Sequence, residues 1–118
     1  MLLDDCDLCQ MKPVISGREE LLYEDTMCYI VENHNLLIDI DNGTKYARGR
    51  KCMVLKDHKK NLSCDEEEIV HMKLKTFMLE NFGLEEIKGY FIRTTMRTFP
   101  DHYHTHAVIY PLTDEPQK

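Results

Sequence analysis

Apolar positions along the chain change period several times, and each change marks a candidate element. Leu21-Leu22-Tyr23-Glu24 and Met27-Cys28-Tyr29-Ile30-Val31 are short runs of β-formers separated by Asp25-Thr26, which predicts two strands meeting at a tight turn. Leu36-Leu37-Ile38-Asp39-Ile40 then leads into Asp41-Asn42-Gly43, whose Asn-Gly pair tolerates the positive φ angles of a hairpin turn. The next strand is expected at Lys51-Cys52-Met53-Val54-Leu55-Lys56, a run apolar enough to sit inside a sheet.

After Ser63 the period becomes helical. Val70, Leu74, Phe77 and Met78 fall at i, i+4, i+7 and i+8 and form one apolar face. Ser63 can cap the first turn while Glu66, three residues on, returns the bond, and Asp65 to Glu68 set negative charge at the positive end of the helix dipole. Gly83 suits the left-handed residue that closes a helix, so the pattern predicts helix from about Cys64 to Phe82. Two further strands follow, Tyr90 to Arg97 and Tyr103 to Tyr110, with Phe99-Pro100-Asp101 as the turn between them. Strands on both sides of one long helix imply an α+β fold, an antiparallel sheet of about five strands with the helix packed on it.

A length of 118 residues supports one core. Residues 1–113 read as a single domain, and Asp114-Glu115-Pro116-Gln117-Lys118 reads as a disordered tail on composition. A domain this small gains from a structural metal or a partner subunit. Fifteen basic and 21 acidic residues give a net charge of -6, with no basic stripe to neutralise a long phosphate backbone, so DNA and RNA are not expected partners. A small nucleotide needs only a few local donors and stays compatible. With neither a signal-peptide pattern nor an apolar run approaching roughly 18 residues, the expectation is a cytoplasmic protein that does not enter a membrane. Five cysteines, an odd number, suit free thiols or metal ligands better than a disulfide framework.

The segment richest in chemistry is His102-Tyr103-His104-Thr105-His106-Ala107-Val108, which holds three of the six histidines. Side chains alternate across a strand, so the three imidazoles share one face while Tyr103, Thr105 and Ala107 take the other. Two chemistries suit such a cluster. A neutral imidazole is a nucleophile near neutral pH, and its neighbours can donate hydrogen bonds to charge developing on a phosphate. Alternatively, His104 and His106 could ligate a catalytic metal. Cys6-Asp7-Leu8-Cys9 is a further spacing that lets two thiolates reach one ion, although two ligands do not complete a tetrahedral site.

The pattern His-x-His-x-His followed by two apolar residues resembles the signature of the histidine triad (HIT) superfamily, with Thr105 as a mild departure at a usually apolar position. Glu24-Asp25 before Cys28 to Val31, then Gly49 through His58 as a degenerate form of that family's Gly-His-x-x-x-x-Pro-x-x-His segment, then the helix, occur in the family's order. The resemblance implies a HIT-like fold and a nucleotide hydrolase or nucleotidyl transferase. The middle histidine, His104, would attack the α-phosphate of a small conjugate, a nucleoside phosphoramidate or a dinucleoside polyphosphate, and form a covalent nucleotidyl-histidine. His106 and His102 complete the catalytic set. It further implies a homodimer and a structural zinc held by Cys6, Cys9, His58 and His102. Cys28, Cys52 and Cys64 read as core or helix-start residues.

Arg50 stands where the family usually carries a histidine, Leu55 replaces its proline, and Met96 to Asp101 lacks the glycine and polar residues that normally meet phosphate. Arg93 and Arg97, with Thr98, are the candidate substrate-binding residues, since guanidinium groups grip phosphate oxygens in pairs; either arginine could equally be a solvated strand residue. Asn33 to Arg48, long for a link between strands, could shape a base and ribose pocket, elaborate the surface as a hairpin or make a dimer contact. The alternative to an enzyme is a nucleotide-binding or zinc-stabilised interaction protein with weak chemistry.

Overall fold

The computed structural model describes residues 6–40, 43–94 and 101–115. One turn of helix, α1 (Lys12–Ile15), precedes β1 (Glu20–Glu24) and β2 (Cys28–Glu32), which pair antiparallel. Asp25 builds the turn between them: its Oδ1 accepts the amides of Met27 and Cys28 at 2.8 and 2.9 Å, the local side-chain bonding that makes Asp a turn residue. A hairpin of β3 (Leu37–Ile40) and β4 (Gly43–Tyr46) forms a separate two-stranded sheet. Next come β5 (Gly49–Leu55), α2 (Cys64–Phe82), β6 (Tyr90–Arg93) and β7 (His104–Ile109). The main sheet has five antiparallel strands in the order β1-β2-β5-β7-β6.

The sequence pattern places the strand after Ile40 at Lys51, whereas the structure inserts β4 before it. Thr44, Lys45 and Tyr46 lack an apolar alternation, and what makes them a strand is pairing across the turn with Asp39, Ile38 and Leu37. Residues 41–42 and residues 95–97 of the Tyr90 to Arg97 run lie outside the described residues. Tyr46 also bridges to Thr113, and Lys45 pairs with Asp114.

Helix α2 has the predicted ends. Ser63 Oγ accepts the Glu66 amide at 3.1 Å, Glu66 Oε1 accepts the Ser63 amide at 3.1 Å, and Gly83 closes the helix at φ 65°. Its buried residues are the predicted Val70, Leu74, Phe77 and Met78. They pack against Cys28, Ile30, Met53, Leu55, Tyr103, Ala107 and Ile109, the alternate positions of β2, β5 and β7 and of the residue just before β7. Burying each large aliphatic side chain contributes about 1.5–3 kcal/mol. The other face of the sheet carries Tyr29, Val31, Cys52 and Val54, which pack with Leu8 of the N-terminal segment, and Tyr29 donates its hydroxyl to the Leu8 carbonyl at 2.9 Å. Val108, farther along the same face, packs with Ile38 and Ala47 at the hairpin. The N-terminal segment and the hairpin therefore cover the two ends of that face and leave a hollow between them. Among the described residues no helix is long and apolar enough to cross a membrane.

Candidate functional site

The alternation of β7 sends Tyr103, Ala107 and Ile109 into the core under α2 and sends His104 and His106 to the opposite face. There they border a cavity of about 740 Å³, together with Arg18, Glu19, Asn33, Asn35, Asp39, Arg50 and Arg93 among others. This is a volume suited to a small ligand. In the ladder His104 lies opposite Val54, and His106 lies between Cys52 of β5 and Arg93 of β6.

Each imidazole has its tautomer set by the backbone or by a neighbour. His104 Nδ1 sits 2.9 Å from the carbonyl oxygen of His102, which can only accept, so the proton is on Nδ1 and the lone pair is on Nε2. His106 is the opposite case: the Arg50 Nε–H donates to its Nδ1 at 3.2 Å, which leaves its own proton on Nε2. The two rings stand edge to face, centroids 5.4 Å apart. One histidine thus offers a nucleophilic lone pair and the next a hydrogen-bond donor.

Burial keeps both rings neutral. It pushes His104 below the ordinary histidine range, and the charge of Arg50 adds to that while the bond to His102 opposes it. His106 goes further, down to about 3, through burial first and then the charges of Arg50, His104 and Arg93. An unfolded histidine titrates near about 6.5, so below that pH the unfolded chain takes up a proton that the folded one refuses. Stability is therefore full above pH 6.5 and lost as pH falls from 6.5 towards 3, at about 1.4 kcal/mol per pH unit for each such proton. Urea unfolding of the wild type at pH 7 and pH 5 should show this loss, and His106→Asn should flatten it. Equal slopes for the two proteins would rule the effect out.

A second cluster lies beside the first. Cys6 Sγ is 3.3 Å from His102 Nδ1, Cys9 Sγ is 3.3 Å from His58 Nδ1 and 3.4 Å from His102 Nδ1, and the four donor atoms all lie within 4.8 Å of one another. Sulfur at about 2.3 Å and nitrogen at about 2.0 Å from a tetrahedral ion would sit at similar mutual distances. His102 Nε2 donates to the Leu55 carbonyl at 2.5 Å, so Nδ1 faces the sulfurs as a lone pair. An outer hydrogen bond that fixes the ligating nitrogen is what metal-binding histidines carry. The donor set can hold a metal ion, and it ties the N-terminal segment to the loop after β5 and to the entry of β7. The remaining cysteines differ: burial pushes the Cys28 and Cys52 thiols up to about 12, and Cys64 is exposed at the start of α2.

No protein-family model matches the chain, and no curated protein matches its sequence. Solved structures do match its fold. A HIT family hydrolase from Clostridium thermocellum superposes with a TM-score of 0.62 at 20% identity, covering 92% of this chain and 93% of that one. A histidine triad protein from Clostridium difficile gives 0.61 at 18%, with 94% and 95% covered, and a HIT family hydrolase from Legionella pneumophila gives 0.60 at 16%, with 88% and 91% covered. The chain has the histidine triad fold.

Within that histidine triad fold, the residues singled out in the sequence divide between the two clusters. His104 and His106 line the cavity with Arg93. His102 joins Cys6, Cys9 and His58, the four residues that the resemblance implies for a metal. Arg97 and Thr98 lie outside the described residues. The stretch from Asn33 to Arg48 contributes Asn33, Asn35, Leu37 and Asp39 to the cavity wall. Sequence reasoning missed Arg50 as a contributor, treating it only as a departure from the family pattern. The signal was present, because alternation in β5 puts Arg50, Cys52 and Val54 on one face. Arg18 and Glu19, both just before β1, gave no such signal.

Proposed function

We propose that this chain belongs to the histidine triad superfamily and is a hydrolase or nucleotidyl transferase, acting at the α-phosphate of a small nucleotide conjugate through His104. The observation that carries this reading is the bond from His104 Nδ1 to the His102 carbonyl, which reserves the Nε2 lone pair for attack. In the first step Nε2 bonds to phosphorus, the bond to the leaving group breaks, and the leaving group departs with its electron pair. In the second step water or another acceptor attacks the nucleotidyl-imidazole, the phosphorus–nitrogen bond breaks and His104 is regenerated. The Nε2–H of His106 donates to phosphate oxygen as negative charge grows there.

Zinc suits the two thiols and two imidazoles of Cys6, Cys9, His58 and His102. Four protein ligands would leave no position for substrate, so the ion would act on folding rather than on the reaction. A thiolate-bound metal and three further unpaired cysteines fit a reducing compartment such as the cytoplasm. The resemblance also implies a homodimer, and the exposed Ile69, Met72 and Leu79 along α2 offer apolar surface for one.

The reading is tested by turnover of a fluorogenic adenosine phosphoramidate and of diadenosine tetraphosphate, wild type against His104→Asn. Turnover confined to the wild type supports it. Equal turnover by the variant would move the attack to a group other than His104, and none by the wild type on either compound would replace the enzyme with a nucleotide-binding protein.

A further inference from the structure

Arg50 is a half-buried cation in the wall of the cavity, and its hydrogen bonds go to neutral groups. Nε donates to His106 Nδ1 at 3.2 Å and Nη1 donates to the Asn35 carbonyl at 3.1 Å. Among the described residues no carboxylate lies within ion-pair distance of its guanidinium. Lysines elsewhere in the chain are matched: Lys51 with Glu32, Lys56 with Glu24 and Lys73 with Asp25. In a protein with 21 acidic and 15 basic residues, a partly desolvated arginine bonded only to neutral acceptors stands out.

Removing a cation from water is unfavourable unless an anion or several acceptors replace the water. An imidazole and one carbonyl occupy two of the five guanidinium N–H groups, and neither brings negative charge. A second guanidinium is close, since Arg93 pairs with His106 across the β6–β7 ladder and borders the same cavity. Glu19 and Asp39 also border it, but neither forms an ion pair with Arg50. The two arginines flank the donor histidine, and a planar fork of this kind binds phosphate oxygens in pairs.

We infer that Arg50 and Arg93 form an anion subsite beside His106, which holds a second phosphate of the substrate, beyond the one that His104 attacks. The inference rests on the catalytic reading above and narrows it to conjugates whose leaving group is itself a phosphate. When such a bond breaks, the leaving oxygen takes the electron pair as an oxyanion, needs no proton, and meets two fixed positive charges. An amine leaving group must gain a proton as the phosphorus–nitrogen bond breaks, and the same charges oppose the ammonium ion that forms.

Two measurements on the full chain test this. In calorimetric titration, inorganic pyrophosphate should bind at least about tenfold more tightly than inorganic phosphate, about 1.4 kcal/mol, and Arg50→Met should remove that margin. In turnover, wild type should favour diadenosine tetraphosphate over adenosine phosphoramidate in kcat/KM, and Arg50→Met should lower that ratio at least about tenfold. Arg93→Met provides the same comparison should Arg50→Met fail to fold, as judged by its circular dichroism. Equal losses on both substrates would mean that Arg50 only orients His106 and would overturn the inference, as would pyrophosphate binding that ignores the substitution. Arg50-dependent pyrophosphate binding without turnover of any conjugate would keep the subsite and discard the catalytic reading instead.

Discussion

Replacing His104 with Asn should lower kcat/KM for nucleotide conjugates by at least about a thousandfold, with little change in folding or in nucleotide affinity. The size follows from chemistry: removing a covalent nucleophile forfeits the whole two-step route and leaves only binding and electrostatic assistance. The small effect on folding follows from the structure. Asn is polar, its amide can still donate towards the His102 carbonyl, and the ring it replaces faces the cavity rather than the core under α2. Steady-state kinetics and nucleotide titration on the same preparation separate the two effects. A variant that retained a tenth of the wild-type rate would show that another group attacks phosphorus.

Removing an ion held by Cys6, Cys9, His58 and His102 should cost the protein much of its stability. Cys6 and Cys9 lie in the N-terminal segment, His58 follows β5 and His102 precedes β7, so one ion would hold together three parts of the chain as far as 96 residues apart. Without it, two thiols and two imidazoles face one another with no cation to repay their burial. Small domains have about 5–15 kcal/mol in total, and about 1 kcal/mol shifts the melting temperature of a domain this size by about 4 °C. A strong chelator, or Cys9→Ser, should therefore lower the melting temperature by roughly 10 °C or more. Metal analysis should find one zinc per chain in the wild type. Cys64→Ser, at an exposed position away from the cluster, serves as the control and should melt with the wild type. An unchanged melting temperature after chelation would remove the structural role.

Much of this fold was legible because several local signals agreed. Ser63, Glu66 and Gly83 mark the ends of α2, and the spacing of Val70, Leu74, Phe77 and Met78 names its buried face. Alternation in β7 correctly separates His104 and His106 from Ala107. What the sequence concealed depends on contacts between distant segments. The N-terminal segment folds back through a left-handed Met11, φ 53°, a conformation that no glycine announces there. Nothing local to α2 signals that His71 Nε2 lies 3.3 Å from the Tyr103 hydroxyl, a contact made because the residue before β7 reaches up to the helix. The alternation that gathers three imidazoles also cannot reveal that they serve two clusters. His102 is drawn to the sulfurs by the fold-back of the N-terminus, while His104 Nδ1 bonds the His102 carbonyl. Arg50 was hidden for a different reason: measured against a family pattern it is a missing histidine, and only the packing of β5 beside β7 shows it bonded to His106.

In the proposed reaction His104 carries the nucleotidyl group. Intact-protein mass spectrometry after rapid quenching with an adenylyl conjugate tests it directly, followed by digestion near neutral pH, where a phosphorus–nitrogen bond survives. An adenylyl increment is expected on the wild type, located to His104, labile in acid and missing from His104→Asn. Sustained turnover with the increment on a different residue, or with no dependence on His104, would contradict it.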